Sequence, residues 1–510
     1  MIVAGQIRQG AYFDSVTLMR VGKELTGLPG VIDAAVVMGT KSNKAILNST
    51  GLLVSEFIGA GDADLLIAVK ARTQQAAGAA WAAVDGLLKT TVHTAASLME
   101  THPASLRGAL DILSDANLAL ISVAGRYAGA EAKCALENGL HVMLFSDNVP
   151  LAEEIALKRL ARRRGLLVMG PDCGTAIING VPLGFANVVN RGTIGIVAAA
   201  GTGLQEVSCL ISEAGAGISQ AIGTGGRDVQ QKVGGIMFLA ALHALAADAA
   251  TRVILLVAKP PDRQVLRRIE RAAKAIRKPV ITLFIGAPRT GTGPATLEEA
   301  ALQAVALAQG RHPHEAGQQL AARDAEVRRI ARREAGRRMK GQRFVRGLFS
   351  GGTFCAEAQV IFAGMLADVY SNAPLGRTKQ IPDPLVSQKH TVIDLGEDEF
   401  TIGRPHPMID YTLRNRRIAQ EVADPATAVV LLDVVLGYGA HPDPAAELAG
   451  VIQQAARRVS VVCSVTGTDR DPQDRSRVVA ALRKAGALVM PSNAAACELA
   501  GRIVEFSRRK

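Results

Sequence analysis

The stretch GIVAAAGTGLQEV, residues 195–207, decides how the rest of the chain is interpreted. Its apolar first half breaks at a Gly-Thr-Gly turn and is followed by residues that favour helix. A strand that enters a glycine turn and then a helix presents free backbone N–H groups to an anion. The turn lacks the lysine of the usual phosphate loop, and a tight packing turn without a ligand is the alternative. The predicted phosphate-binding residues are Gly201, Thr202, Gly203 and Leu204.

Composition and spacing around this stretch predict a multidomain α/β protein. The chain has 510 residues, which is enough for three or four domains, and it is 48% hydrophobic with 4% aromatic residues. Alternating strands and helices predict parallel, doubly wound sheets. The predicted regions are a small α+β module of the ferredoxin or ACT type (1–95), three α/β regions (103–190, 191–310 and 343–510) and a basic linker (311–342). Within the first module, the sequence 15–31 is predicted to form a strand followed by a helix.

Charge and cysteine content exclude several classes of protein. The net charge is +12, but much of the excess lies in residues 327–347, where aromatic residues for base stacking are almost absent. We therefore predict a solvated linker or a subunit contact there rather than a polyanion or nucleic-acid site. Six scattered cysteines indicate neither a disulfide framework nor a metal site. With no signal peptide and no apolar run long enough to span a membrane, the predicted location is the cytoplasm.

A second glycine turn follows the apolar strand 428–436. It repeats the strand–glycine–helix pattern of the first turn, and two such helix starts facing one another would grip one dianion from both sides. A purely structural turn is the alternative. The residues assigned to this second half of the phosphate site are Gly437, Tyr438, Gly439 and Ala440. His441, directly after them, is either a proton donor or a helix cap.

Other turns offer further candidate residues. Arg227 lies in a glycine turn and could clamp a substrate carboxylate, although an ion pair within the chain is equally consistent. His406 is held between two prolines and is a candidate acid or base, with a packed loop histidine as the alternative. In region 103–190, two turns follow strands and would line a ligand site at the carboxyl ends of a parallel sheet. Their residues are Gly125, Arg126, Pro171, Asp172 and Cys173.

Longer stretches resemble a known family. GPDCGTAIING (170–180), residues 191–207 and KPVITLFIG (278–286) resemble the α subunit of succinyl-CoA synthetase. GLFSGGTFCAEAQVI (347–361) and LLDVVLGYGAHPDPA (431–445) resemble the carboxy-terminal domain of its β subunit. Together with VVMGTKSNKAIL (36–47) and GRPHPMID (403–410), the order resembles FdrA, an acyl-CoA synthetase-like branch of that superfamily. The resemblance implies a CoA-binding Rossmann-like domain at 103–190, and flavodoxin-like ligase domains at 191–310 and 343–510.

The resemblance also implies a function, which one departure modifies. The two helix starts would share a single phosphate, but segment 286–301 has no histidine where the ligase carries its phosphohistidine, and no stretch resembles the nucleotide-binding ATP-grasp domain. FdrA-type proteins are similar to components of oxamate carbamoyltransferase. We therefore expect carbamoyl transfer between carbamoyl phosphate and oxamate in allantoin breakdown, with companion subunits, in an oligomer and without a required cofactor. Arg227 would grip oxamate, Thr202 would stabilise the leaving phosphate, and His406 or His441 would move the proton.

Two alternatives remain open at this stage. One is a succinyl-CoA-ligase-like acyl-CoA synthetase component that obtains its nucleotide domain and phosphohistidine from a partner. The other is a non-catalytic CoA-binding scaffold. CoA binding itself is left open by the sequence.

Overall fold

A computed structural model gives the arrangement of the chain and describes residues 2–507, except positions 12, 14, 63, 93–102, 104, 288–292, 340 and 402–404. The chain divides into two compact units. The first consists of residues 1–115, 122–124 and 398–406, and the second of residues 116–121, 125–397 and 407–510.

The first unit is built on a small antiparallel sheet. Its elements are β1 (Ile2–Arg8), α1 (Ser15–Thr26), β2 (Val31–Met38), α2 (Lys41–Ser49), β3 (Leu65–Ala71), α3 (Gln74–Val92) and α4 (Leu106–Ile112). The strand order is β1-β3-β2, and β3 pairs antiparallel with both neighbours. One apolar cluster packs α1 and α3 against the sheet, and a second cluster forms around Phe57 and α2.

The predicted strand at the start of 15–31 is wrong, because those residues form α1. Leu18, Val21 and Leu25 are buried at the spacing of one helix face, which outweighs the strand preference of the valine and threonine residues in this stretch. The first strand is instead β1, at residues 2–8.

The second unit begins with a three-stranded parallel sheet. Its elements are β4 (Leu118–Ile121), α5 (Gly125–Glu137), β5 (His141–Leu144), α6 (Leu151–Arg164) and β6 (Val168–Met169). The strand order is β4-β5-β6. This arrangement agrees with the alternation predicted for region 103–190.

A six-stranded sheet follows. Its elements are β7 (Thr175–Ile178), β8 (Val181–Gly184), β9 (Arg191–Ala199), α7 (Gly201–Glu213), β10 (Ile218–Gly223), α8 (Ile236–Ala247), β11 (Val253–Ala258), α9 (Arg263–Ala275), β12 (Val280–Phe284), α10 (Leu297–Ala308) and α11 (Glu315–Gly336). The strand order is β12-β11-β9-β10-β7-β8, and β9 to β12 are parallel. The predicted boundary at residue 190 is therefore displaced, because β7 pairs with β10 and joins this sheet.

The predicted basic linker also needs correction, because most of it is the helix α11. Val327 and Ala331 are fully buried on one side of α11, which packs against α10 and against the last helix of the chain. The many arginines of α11 occupy its other positions, so its composition obscured a packed helix.

The last region is a seven-stranded, fully parallel sheet. Its elements, with α13 belonging to the first unit, are β13 (Phe344–Phe349), α12 (Gly352–Ala363), β14 (Val369–Ser371), β15 (Lys379–Gln380), β16 (His390–Asp394), α13 (Asp398–Thr401), α14 (Thr412–Ala423), β17 (Thr427–Val435), α15 (Pro444–Ala455), β18 (Ser460–Thr466), α16 (Arg475–Lys484), β19 (Leu488–Met490) and α17 (Asn493–Ser507). The strand order is β15-β14-β16-β13-β17-β18-β19. The two large sheets share one apolar core, in which α7, α10, α12 and α17 pack together.

Two buried glutamate side chains, one on α7 and one on α12, accept hydrogen bonds from other elements of this shared helix layer. The side chain of Glu206 accepts hydrogen bonds from the Asn493 amide (2.9 Å) and from the Thr466 hydroxyl (2.5 Å). Glu357 accepts from the Leu297 amide (2.7 Å) and from the Asn493 side chain (2.8 Å). Burial raises the pKa of Glu206 to about 7 and that of Glu357 to about 7, so both hold a proton under mildly acidic conditions.

We expect Glu206→Gln to stabilise the chain at pH 8 by up to about 3 kcal/mol, with no gain near pH 4.5. The folded chain retains the proton of Glu206 between its usual pKa of 4.5 and about 7, whereas the unfolded chain releases it. The wild-type free energy of unfolding therefore loses this contribution as the pH rises through that window, and glutamine removes the effect. Urea unfolding at several pH values measures it. A similar gain from Glu326→Gln, which removes an exposed carboxylate beside Arg329, would contradict the assignment.

Candidate functional site

The predicted helix start after β9 is confirmed. Ala200 is extended, α7 begins at Gly201, and the Leu204 amide donates to the Ala200 carbonyl at 2.9 Å. Within the described chain, no side chain caps this end of α7, and the amides of Gly201, Thr202 and Gly203 have no acceptor. Three amides and the positive end of the helix dipole therefore remain available to an anion, while the Leu204 amide is used by the helix itself.

The start of α12 lies directly against the start of α7. A Cβ added to Gly351 would lie 2.8 Å from Thr202 Oγ1, and one added to Gly203 would lie 2.8 Å from Thr353 Cγ2. Side chains at these two glycines would push the helix starts apart. Among the described residues, no side chain caps α12 at its N-cap, Gly351. Two uncapped helix starts from two different sheets therefore meet.

A buried ion pair fixes the turn before α12. The carboxylate of Asp433, at the end of β17, accepts hydrogen bonds from the Ser350 amide (2.7 Å), the Ser350 hydroxyl (2.8 Å) and the Gly351 amide (2.9 Å). Its charge is balanced by Arg414 at 3.0 Å, and both side chains are fully buried. This network orients the turn so that the first amides of α12 point out of the carboxyl end of the sheet.

Lys259 supplies the positive side chain that the glycine turn lacks. It follows β11, and a Cβ added to Gly352 would lie 3.3 Å from its Nζ and 2.5 Å from Asp394 Oδ2. Lys259 and Asp394 therefore flank the start of α12. Sequence reasoning missed both residues, although a lysine directly after a fully buried strand was an available signal.

Asp394 has the properties of a proton carrier near neutral pH. It ends β16, and its Oδ1 accepts a hydrogen bond from the Gly396 amide at 2.9 Å. Burial raises the pKa of Asp394 to about 7, and the positive charge of Lys259 opposes that rise. A carboxyl group with this pKa, next to an anion site, can accept or donate a proton during a reaction.

The predicted second helix start, at Gly437, is wrong. Residues 437–440 form a turn, and α15 begins only at Pro444, where the Asp443 carboxylate caps the Ala446 amide at 3.1 Å. The Gly437 amide donates to Gln473 at 3.0 Å, and the Tyr438 amide donates to the Ala186 carbonyl at 2.9 Å. These amides are not available to a ligand. Phosphate contacts by Gly439 and Ala440 remain predictions.

The turn at Gly437 still lies near the start of α7. Asn187 donates to the Leu436 carbonyl at 2.9 Å and accepts from Gln205 at 3.2 Å, so it bridges this turn to the first turns of α7. Tyr438 is half exposed beside this bridge. The turn therefore contributes to the surroundings of α7 without contributing a helix end.

The two candidate histidines lie in different units. The Nδ1 atom of His441 accepts from the Asp443 amide at 3.1 Å, its Nε2 lies 3.5 Å from Glu447, and its ring edge meets Tyr411. His441 therefore binds the amide of the N-cap residue, while the capping of α15 itself is done by Asp443. His406 belongs to the first unit, and its neighbour Arg404 lies outside the described residues. Proton transfer by either histidine remains a prediction.

Arg227 has a carboxylate partner within the chain. Its Nε lies 2.9 Å from Glu154 on α6, and its Nη2 donates to the Val149 carbonyl at 3.0 Å. The adjacent Asp228 pairs instead with the fully buried Lys158 at 2.8 Å. The structure thus contains the intrachain ion pair that the sequence analysis gave as an alternative to a substrate clamp.

The two turns predicted as a CoA- or nucleotide-like site are at carboxyl ends of the first parallel sheet. Gly125 begins α5 and is packed so closely against the backbone of residues 147–148 that a side chain would clash. Arg126 lies over the Tyr127 ring at 4.7 Å. Asp172 and Pro171 form the loop after β6, and Cys173 is buried, which raises the pKa of its thiol to about 12. Ligand binding at these turns remains a prediction.

Comparisons with known proteins agree with this architecture. The model of the CoA-ligase family matches residues 348–503, that of the CoA binding domain matches residues 190–286, and that of the AllF heavy metal-associated domain matches residues 1–103. The chain is 40% identical over 504 residues to the uncharacterized protein YahF of Escherichia coli (strain K12), and the match covers 96% of each chain. The chain belongs to the FdrA family. The predicted α/β fold class is confirmed, and this FdrA protein is acyl-CoA synthetase- and succinyl-CoA ligase-like.

More distant relatives match part of the FdrA chain. The succinate–CoA ligase [ADP-forming] subunit alpha-2 of Trichomonas vaginalis is 27% identical over 226 residues, which cover 40% of this chain and 72% of that protein. A solved acetyl-coenzyme A synthetase 1 of Ca. Korarchaeum cryptofilum aligns with 81% of this chain and 87% of its own, at 16% identity and a TM-score of 0.31. A likeness at that score carries no argument about the site.

The CoA binding domain match falls on residues 190–286, downstream of the 103–190 region where we predicted that domain. Both regions alternate strand and helix at similar spacing, so the pattern could not distinguish them. The match instead covers β9 and the start of α7. We call the meeting point of the α7 and α12 starts, with Lys259 and Asp394 beside it, the helix-start site.

The first unit of this FdrA protein does not fit a heavy-metal ion, despite the name of its family model. Residues 1–103 contain no cysteine, and soft metal ions are bound by thiolates. Within the described residues, no group of three or more His, Cys, Asp or Glu side chains could hold a metal ion. Among the described residues, no helix is both long and apolar enough to cross a membrane.

Proposed function

We propose that this FdrA-family chain transfers an acyl group from an acyl phosphate to an acceptor, with the thiol of CoA as the best-supported acceptor. The observation that carries the proposal is the meeting of two uncapped helix starts beside Lys259. The three free amides at the start of α7, the first amides of α12, two helix dipoles and one ammonium group suit the two negative charges of an acyl phosphate. The CoA-ligase and CoA binding domain matches support CoA as acceptor.

The sequence supports a donor that is already activated. A ligase that uses ATP through a phosphohistidine needs a nucleophilic ring nitrogen, and segment 286–301 contains none. An acyl phosphate would reach the site from solution or from a companion subunit. Relatives are named as subunits of CoA ligases, which supports a role for such subunits here.

In the proposed step, the CoA sulfur attacks the carbonyl carbon of the acyl phosphate. The new C–S bond forms as the C–O bond to phosphate breaks, so that acyl-CoA and inorganic phosphate are the products. The thiol proton passes to Asp394, whose carboxyl group has the appropriate pKa. Lys259, Thr202 and the helix amides stabilise the charge that accumulates on the departing phosphate.

A second candidate is carbamoyl transfer from carbamoyl phosphate to oxamate. The missing histidine favours it, because carbamoyl phosphate is itself an activated donor that needs no phosphohistidine. In this reaction an amide nitrogen of oxamate replaces the CoA thiol, and the same helix starts would hold the phosphate. Arg227 would have to exchange Glu154 for the oxamate carboxylate, and His441 would be the alternative to Asp394 as proton acceptor.

We expect acetyl phosphate, carbamoyl phosphate and inorganic phosphate to raise the unfolding temperature, and ATP with Mg²⁺ to leave it unchanged. A ligand at one hundred times its Kd stabilises the folded state by about 2.7 kcal/mol. Thermal unfolding measures this for the full chain. Stabilisation by ATP alone, without any effect of the acyl phosphates, would contradict the proposal.

Product analysis then separates the acceptors. Acetyl phosphate with CoA should yield acetyl-CoA, whereas carbamoyl phosphate with oxamate should yield the carbamoylated amide. Formation of the carbamoylated amide without acetyl-CoA would identify carbamoyl transfer, and not acyl transfer to CoA, as the reaction. CoA binding without either product, also in the presence of companion subunits, would support the non-catalytic scaffold and overturn both reactions.

A further inference from the structure

A cationic cavity lies in the seven-stranded domain. It has a volume of about 320 Å³, which suits a small ligand. Its walls come from the carboxyl end of α11, the turn between α15 and β18, and the start of β19. The charged side chains that line it are Arg333, Glu334, Arg337, Arg338 and Arg457. Four arginines face one glutamate, so the lining carries a net charge of +3.

The single carboxylate does not neutralise this cluster. Arg333 and Arg337 both contact the same atom, Glu334 Oε1, at 3.3 Å. Arg338 Nε is buried and has no hydrogen-bond partner in the part of the chain that the structure describes. Burial, joined by the charge of Arg337, lowers the pKa of Arg338, and Glu334 only partly opposes this. A second source of negative charge would relieve the mutual repulsion of these cations.

The cavity walls are fixed by neutral contacts. Arg338 Nη1 donates to the Arg458 carbonyl at 3.1 Å, and Gln342 Nε2 donates to the same carbonyl at 2.9 Å. These bonds tie the segment after α11 to the turn before β18. Arg338 is therefore held beside the turn that carries Arg457 without an anion, which reduces the ordering cost of binding one.

This cavity is separate from the helix-start site. Ser460 and Leu488, which line it, are the first residues of β18 and β19. The start of α12 instead follows the last residue of β13. Because all strands of this sheet are parallel, the cavity lies at the amino ends of the strands and the start of α12 lies at their carboxyl ends.

We propose that this arginine cavity binds a small polyanion with two linked phosphate groups, in addition to the phosphate site of the proposed function. Three of its arginines belong to the basic stretch 327–347, so the proposal departs from the linker or subunit contact that the sequence favoured there. Arginine guanidinium groups form paired hydrogen bonds with phosphate oxygens, and four of them can engage two phosphates at once. Inorganic pyrophosphate is the simplest compound of this class, and ADP presents the same diphosphate group. Pyrophosphate and the diphosphate group of ADP both suit the size and charge of the cavity, so the experiment compares their affinities.

We expect pyrophosphate to bind the full chain, with Arg338→Gln and Arg457→Gln each weakening binding about tenfold. Arg457 is exposed and belongs to the turn between α15 and β18, so its replacement tests the site even where Arg338→Gln impairs folding. Isothermal titration with pyrophosphate, ADP and inorganic phosphate at fixed ionic strength provides the affinities. Tighter binding of ADP than of pyrophosphate would identify a nucleoside diphosphate as the ligand.

Two controls make the result specific. Arg329→Gln removes an arginine of the same helix that pairs with Glu326 outside the cavity, and it should leave pyrophosphate affinity unchanged. Lys259→Met disables the helix-start site and should also leave it unchanged, which separates this inference from the proposed function. Equal losses in Arg329→Gln and Arg338→Gln, or loss of pyrophosphate binding in Lys259→Met alone, would overturn the cavity site.

Discussion

Lys259→Met is expected to lower kcat/KM for an acyl phosphate by at least about 100-fold, which corresponds to about 3 kcal/mol of transition-state stabilisation. Lys259 is the side-chain cation that the structure brings to the start of α12, where the glycine turns themselves carry none. Negative charge increases on the phosphate oxygens as the C–O bond breaks, so a fixed ammonium acts most strongly in the transition state. Steady-state transfer of the acetyl group from acetyl phosphate to CoA measures the loss.

The control for this prediction is Lys278→Met. Lys278 belongs to the same sheet region, but its Nζ donates to the carbonyls of Leu245 and Asp248 and does not approach either helix start. Its replacement should change kcat/KM less than threefold once folding is verified. Lys259→Arg keeps the charge and should recover part of the activity. If Lys259→Met retained wild-type kcat/KM, the phosphate could not be bound at this site during catalysis.

Local sequence patterns are sufficient to predict most of the helices and strands of the fold. An apolar run followed by Gly-Thr-Gly placed the start of α7 correctly, because strand, turn and helix preferences are all set within thirteen residues. The error in the N-terminal module arose where β-branched residues occupied a helix face. The arginine-rich α11 was missed as a packed helix because its buried side is composed largely of alanine and a few aliphatic residues.

The site depended on information that local patterns do not contain. The partner of α7 is the start of α12, which is 150 residues away and follows a strand of another sheet. The turn at Gly437 has the same glycine-rich composition, yet six residues lie between Gly437 and the first residue of its helix, Pro444, and Asp443 already caps that helix. Lys259 and Asp394 are single residues at strand ends, so only the packing of two sheets brings them together.

Asp433→Asn is expected to destabilise the chain by about 3–5 kcal/mol. Asparagine has almost the same shape, but it leaves the fully buried guanidinium of Arg414 without a countercharge. It also weakens the acceptor for the amides of Ser350 and Gly351, which set the turn before α12. We therefore expect both a lower urea midpoint and weaker phosphate binding, even at temperatures at which the variant remains folded.

The exposed acid Asp368 provides a matched comparison, since it also bridges cations, Lys379 and Lys389, in the same sheet domain. Asp368→Asn should lower the free energy of unfolding far less than Asp433→Asn does, because solvent already screens the charges of Asp368 and its two lysine partners. Arg414→Gln combined with Asp433→Asn should be more stable than the sum of the single losses, since the double variant leaves no buried charge unpaired. Strict additivity of the two substitutions, together with normal phosphate binding, would mean that this ion pair neither holds the turn nor supports the helix start that the proposed chemistry requires.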